Sequence, residues 1–285
     1  MTSVFMRTAW DWDPTIIAGI LILALGYAGL ARLHFTRRSL LYYAAILVLL
    51  LALVSPLDAL SDDYLFSAHM LQHLILILIV APLFLLGIPP QWWSRLLEWK
   101  LADRVEKILS QPVLSWIIGM GTLWIWHLPV LYNLALAHEN IHTLEHLSFL
   151  VTAVIFWWPV TVQPIERRRL GYSGMLIYLF AGALANTVLG IILTFAPVGL
   201  YPEYLHPEDT YHILSIIRGS WELDPQSDQQ LGGLLMWVPG GLFFLGAILS
   251  VLARWFNEPE DDAFIKNYQD YAQPMRLDHL ENTGK

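Results

Sequence analysis

Residues 65–90 read LFSAHMLQHLILILIVAPLFLLGIPP. From Leu65 to Ile88 no Asp, Glu, Lys or Arg interrupts the run. A helix over these residues rises about 36 Å, and a bilayer core of about 30 Å asks for roughly 20 apolar residues. Gly87, Pro89 and Pro90 then end the helix, because proline has no amide proton to continue the ladder. The stretch therefore reads as a membrane span. His69, Gln72 and His73 lie in its first half, where polar side chains are costly and mark functional sites.

Six further runs have the same character, so the expected fold is an all-α integral membrane bundle of seven transmembrane helices. Their approximate bounds are 14–33, 39–57, 65–88, 113–133, 142–160, 174–197 and 231–256. Composition agrees, since 56% of the 285 residues are hydrophobic and only 14% charged, against about a quarter charged in soluble domains. The runs leave no room for a soluble domain within 1–256. Residues 257–285 read as a polar, loosely ordered cytoplasmic tail. No basic region or small-residue cleavage site precedes the first run, which is read as a retained helix.

Side follows from Lys and Arg, which favour the cytoplasm. Arg32, Arg37 and Arg38 fall in one loop, and Arg95, Lys100, Arg104 and Lys107 in the next on that side. Arg167, Arg168 and Arg169 form a third group, and Arg254, Lys266, Arg276 and Lys285 a fourth. Together these are fourteen of the sixteen basic residues; only Arg7 and Arg218 lie opposite. The amino terminus is therefore expected outside and the carboxyl terminus in the cytoplasm. Because the basic residues sit beside apolar runs, no nucleic-acid partner is expected. The 198–230 stretch becomes an outer loop, with a short interfacial helix expected over 208–218.

This topology sorts the histidines. His69 and His73 fall in the outer half of the third span, His127 two turns below the outer surface, and His142 and His146 in the first turns of the fifth. His138 precedes them in a loop. His34 and His279 are cytoplasmic, while His206 and His212 read as solvated loop residues. The i, i+4 spacing of His69 with His73 and of His142 with His146 puts each pair on one helix face, about 6 Å apart. Five imidazoles at one depth suit a metal site for copper, zinc or iron, with copper(II) favoured among divalent ions. With no cysteine in the chain, thiolate sites and disulfides are excluded.

Neighbours fill out the candidate set. Gln72 and Glu145 adjoin histidines and would steady an imidazole tautomer. Pro129 should bend the fourth span beside His127. Met236, in the outer part of the last span, and Met70 offer thioethers suited to copper(I), although methionine is also an ordinary gap filler. Gly232 and Gly233 would allow close helix packing, and Asn186 an interhelical hydrogen bond.

His69-Met70-Leu71-Gln72-His73 followed by Ala81-Pro82-Leu83 and Leu86-Gly87-Ile88-Pro89 resembles the third helix of the CtaG family of cytochrome c oxidase assembly proteins, of the multi-spanning membrane type. Trp126-His127-Leu128-Pro129, Tyr132 and His142-Thr143-Leu144-Glu145-His146 resemble its next two helices. Asp228-Gln229-Gln230-Leu231-Gly232-Gly233 leading to Met236-Trp237 is similar to the start of its last helix. The resemblance spans most of the chain in one order. It implies a bacterial plasma-membrane protein that helps mature a haem–copper oxidase, delivering copper to the catalytic subunit. By position the family's motif histidines fall on His69, His73, His127, His142 and His146, with His138, Met236 and Glu145 as further candidates.

The leading expectation is thus a non-enzymatic, copper-binding assembly factor whose partners are membrane lipid and an oxidase subunit. Neutral imidazole is the ligand form, so occupancy should weaken as pH falls through about 6.5. A b-type haem or quinol-reactive electron carrier is the alternative, two histidines clamping haem b axially. A copper transporter ranks lower because the polar residues gather in one leaflet. An intramembrane zinc hydrolase rests only on the His-x-x-Glu-His match at His142–His146. Oligomeric state is open, a homo-oligomer included.

Overall fold

The computed structural model describes residues 2–31, 35–161 and 169–257. Arg32, His34, Arg167, Arg168 and the expected tail from 258 onward lie outside them. Among the described residues the chain is all-helical, with no strand. The helices are α1 (Thr2–Thr8), α2 (Pro14–Leu30), α3 (Arg37–Val54), α4 (Pro56–Asp63) and α5 (Phe66–Gly87). They continue as α6 (Pro90–Leu96), α7 (Lys100–Leu109), α8 (Pro112–Trp126), α9 (Pro129–Ala137), α10 (Glu139–Thr161), α11 (Tyr172–Phe195) and α12 (Pro225–Phe256).

Five of these, α3, α5, α10, α11 and α12, are long and apolar enough to cross a membrane. A sixth arises if α7 and α8, which meet at 75°, form one broken span. α2 is apolar but shorter, at 17 residues. Ile22, Leu25, Ile177, Phe180 and Leu242 all point outward, more than half exposed. Such an apolar exterior suits lipid contact and not water.

The fourth expected span, 113–133, is not one continuous helix. It stops with His127 at its C-terminus, Leu128 is extended, and α9 begins at Pro129. Proline supplies no amide proton and disfavours helical geometry in the residue before it. The 198–230 loop also differs from expectation. Its helical turns are Pro202–Leu205 and Ile216–Ser220, in place of one helix over 208–218.

Packing around α5 positions the candidate site. Asp228 at the start of α12 accepts from the amides of Phe66 (2.8 Å) and Ser67 (3.0 Å) and from the Ser67 hydroxyl (2.5 Å). It thereby satisfies the free amides at the α5 N-terminus. α5 widens into a π turn at Ile75–Val80, which ends two residues before Pro82, and the Trp157 indole donates to the Ile77 carbonyl at 2.9 Å. α11 and α12 approach backbone to backbone. A Cβ on Gly233 would sit 2.5 Å from the Thr194 nitrogen and 2.7 Å from the Gly190 oxygen, so no larger residue fits. The Asn186 amide donates to the Met236 carbonyl across the same interface at 2.7 Å.

Candidate metal centre

α5 contributes His69 and His73, α8 ends on His127, and α10 contributes His142, Glu145 and His146. The i, i+4 pairs face each other across the α5–α10 interface. Ring centroids lie 4.2 Å apart for His69–His73, 4.2 Å for His142–His146, 5.1 Å for His69–His142 and 5.3 Å for His73–His146. His69, His73 and Glu145 are fully or almost fully buried.

Two overlapping groups have potential ligand atoms within 4.8 Å of one another: His69, His73 and His146, and Asp62, His69 and His142. Glu145 lies beside the first group, its carboxylate oxygens 3.9 Å from His69 Nε2 and 3.7 Å from His73 Nε2. These separations exceed hydrogen-bond length. Among the described residues neither Glu145 oxygen has a hydrogen-bond partner, nor do His73 Nδ1, His142 Nε2 and His146 Nε2. Buried polar atoms are ordinarily paired, so this cluster of orphaned donor atoms fits a cation-binding role. The nitrogen and carboxylate set suits copper or zinc.

Hydrogen bonds reaching the cluster constrain its protons. The Tyr204 hydroxyl donates to the Ser61 carbonyl at 2.9 Å. Its single proton thus committed, Tyr204 accepts from His69 Nδ1 at 3.0 Å. His69 Nε2 then carries the lone pair and accepts from His73 Nε2 at 2.8 Å, which leaves the lone pair of His73 on Nδ1. Tyr132 also reaches Tyr204, hydroxyl to hydroxyl at 3.3 Å.

His142 sits toward the protein surface, its Nδ1 3.4 Å from Asp62 and its side chain 13% exposed, against 37% for Asp62. Burial, together with repulsion from neighbouring carboxylates, pushes the Asp58 and Asp62 carboxyls upward from their usual range. The cluster therefore runs from an acidic mouth to a buried interior.

His127 stands apart from the ligand groups. Its Nδ1 meets the Leu123 carbonyl at 2.6 Å and its Nε2 the Met70 sulfur at 3.2 Å. Its own carbonyl, released from the helix by the break before Pro129, accepts from the Tyr201 hydroxyl at 2.8 Å. Met236 is buried and lines a small cavity with His127 and His73. His138 is exposed at the end of α9 and shares no ring contact with the cluster. His206 and His212 are exposed in the loop, as their polar surroundings suggested. Gln72 binds elsewhere than expected: it donates to the Ala52 carbonyl and Asp58 and accepts from Ser61, tying α5 to α3 and α4.

Sequence reasoning missed Asp62, Tyr201 and Tyr204. Asp62 and Asp63 form an acidic pair one turn before α5, a signal that was available. Tyr201 and Tyr204 arrive from a loop about 40 residues beyond the end of α10, and no spacing rule links them to His69 or His127.

The sequence model of the family described as cytochrome c oxidase caa3 assembly factor (CtaG) matches residues 24–258. The chain belongs to that family. Among curated proteins, this CtaG-family chain is 24% identical over 275 residues to an uncharacterized protein of Mycobacterium leprae, covering 88% of this chain and 40% of that protein. It is 26% identical over 280 residues to uncharacterized proteins of Mycobacterium bovis and Mycobacterium tuberculosis, covering 90% of this chain and 41% of each. The chain thus spans about two fifths of the length of the curated relatives it matches. No solved structure matches it.

Proposed function

We propose that this chain is a non-catalytic assembly factor that binds copper in the α5–α10 histidine cluster and passes it to a haem–copper oxidase subunit in a bacterial plasma membrane. The observation that carries the reading is the convergence of His69, His73 and His146, with ligand nitrogens within 4.8 Å of one another beside the orphaned Glu145 carboxylate. Four donor atoms from two helices form a compact pocket whose carboxylate offsets part of a cation's charge. Asp62 and His142 form the approach from the surface, where a cation relieves the repulsion among the carboxylates.

The oxidase partner comes from family membership, and copper from ligand chemistry: imidazole and carboxylate with no thiolate suit it, and it heads the affinity order of divalent ions. The topology that fits is seven spans with the amino terminus outside, which sets the cluster near the outer face and the basic loops in the cytoplasm. The haem alternative draws less support, since the cavity that His73 and His127 line is only about 10 Å³, too small for a macrocycle.

Purified protein loaded with copper(II) should hold it stoichiometrically, with imidazole nitrogen couplings in its electron paramagnetic resonance spectrum. His69→Ala combined with His146→Ala should lose both while the helical content stays constant. Equal copper content in the double variant, or an absorbing haem and no copper in the wild type, would overturn the reading.

A further inference from the structure

The contact between His127 and Met70 cannot be an ordinary hydrogen bond. The Leu123 carbonyl only accepts, so His127 Nδ1, 2.6 Å away, must donate. In the neutral ring Nε2 then has a lone pair and no proton. It faces the Met70 sulfur at 3.2 Å, and a thioether has no proton either. Two electron-pair donors therefore point at each other inside the protein, both residues almost fully buried.

Their surroundings repeat the theme. Met70 and His127 line an enclosed cavity of about 10 Å³ with Met120, Met236 and His73. That volume is about the room of one water-sized sphere. His73 Nδ1 has no partner among the described residues, and the chain of hydrogen bonds from Ser61 through Tyr204 and His69 leaves it proton-free. Two imidazoles and three methionine side chains thus line one enclosed space, beside the Asn186 amide and with no carboxylate among its lining residues.

We infer that this cavity is a second metal site, selective for a soft monovalent cation, copper(I) or its analogue silver(I). Thioether and neutral imidazole ligands select copper(I). A site without a carboxylate leaves a dication's charge unbalanced and favours a single charge. The inference rests on the copper-handling reading and extends it: His73 belongs to both sites, with Nε2 toward Glu145 and the outer cluster. A neutral imidazole has one free nitrogen at a time, so His73 serves the outer site or the inner one as its proton moves between Nε2 and Nδ1. The outer cluster is the receiving site, and the thioether cavity is the deeper, softer one.

X-ray absorption of the whole protein loaded anaerobically with copper(I) tests this. Sulfur scattering at the copper edge is expected, and Met70→Leu combined with Met236→Leu should abolish it. Leucine keeps the volume close to that of methionine, and unchanged copper(II) binding at the outer cluster would show the double variant is folded. Its copper(I) affinity, measured by chelator competition, should fall at least about 10-fold. Copper(I) bound through nitrogen alone, or with unaltered affinity in the double variant, would overturn the second site and leave the proposed function standing. Binding of neither oxidation state would overturn both. If the double variant loses copper(II) as well, selenomethionine labelling decides on the unsubstituted chain: copper–selenium scattering supports the site and its absence overturns it.

Discussion

Tyr204 shows how one residue sets the protonation of several others. It donates to a backbone carbonyl, which fixes its own proton, and that fixes His69 and then His73 in turn. Partners that orient a ligand typically contribute 10–100-fold in metal affinity. Tyr204→Phe should therefore weaken copper binding by about 10-fold or more, with little loss of fold, because the ring still packs against Phe66. Competition titration against a chelator is the measurement, and an unchanged affinity would show that Tyr204 does not set the His69 tautomer. Spacing made the imidazoles legible beforehand, since i, i+4 pairs must share a face. It could not reveal Tyr204, whose bond to His69 bridges 135 positions. Nor could it separate His127 from the others, because only the contact with Leu123 shows which of its nitrogens is free.

Among the elements, α5 carries the site and is held by its N-terminal cap. Asp228 accepts three hydrogen bonds there from residues 66 and 67, a turn or less ahead of His69. Asp228→Ala leaves two buried amides and a hydroxyl without partners, and each orphaned group costs about 1–3 kcal/mol. Detergent-solubilised Asp228→Ala should unfold at a clearly lower temperature than wild type, and its copper content should fall with the loosening of the first turn. A wild-type melting curve would remove Asp228 from the account of how α5 is placed. Helix positions followed from hydropathy, and the trouble beside His127 from Pro129, but the outcome was a full break and not a bend. The loss of one amide proton is local; whether the chain kinks or restarts depends on what receives the freed carbonyl. Here the Ile125 carbonyl accepts from the Leu128 amide, and the His127 carbonyl, next along the break, accepts from the Tyr201 hydroxyl of the 198–230 loop.

At the scale of the molecule the question is how many times the chain crosses the membrane. Hydropathy made the helical membrane class plain, yet it could not settle the count, because α2 has 17 residues and rises only about 26 Å, below a bilayer core of about 30 Å. Its contacts favour a crossing. Beside its start the Asp11 amide donates to the Val54 carbonyl at the end of α3, and near its close the Tyr27 hydroxyl donates to the Gly87 carbonyl at the end of α5. α3 and α5 run in opposite directions if the short α4 turns the chain at the outer surface, so α2 reaches from one face of the bundle to the other. Phe5 and Ala9 pack with Tyr64, Ile213 and Ile217, which places the amino-terminal segment against the 198–230 loop. The chain has no cysteine, so single cysteines report sidedness without background. Trp12→Cys and Phe35→Cys sit on exposed residues flanking α2, and His138→Cys marks the face proposed as outer. In intact cells a membrane-impermeant maleimide should label positions 12 and 138, and position 35 only after permeabilisation. Labelling of 12 and 35 from the same side would mean that α2 does not cross, reducing the bundle to six spans. Labelling of 35 alone in intact cells would invert the whole molecule, turn the histidine cluster toward the cytoplasm, and require copper to arrive from there.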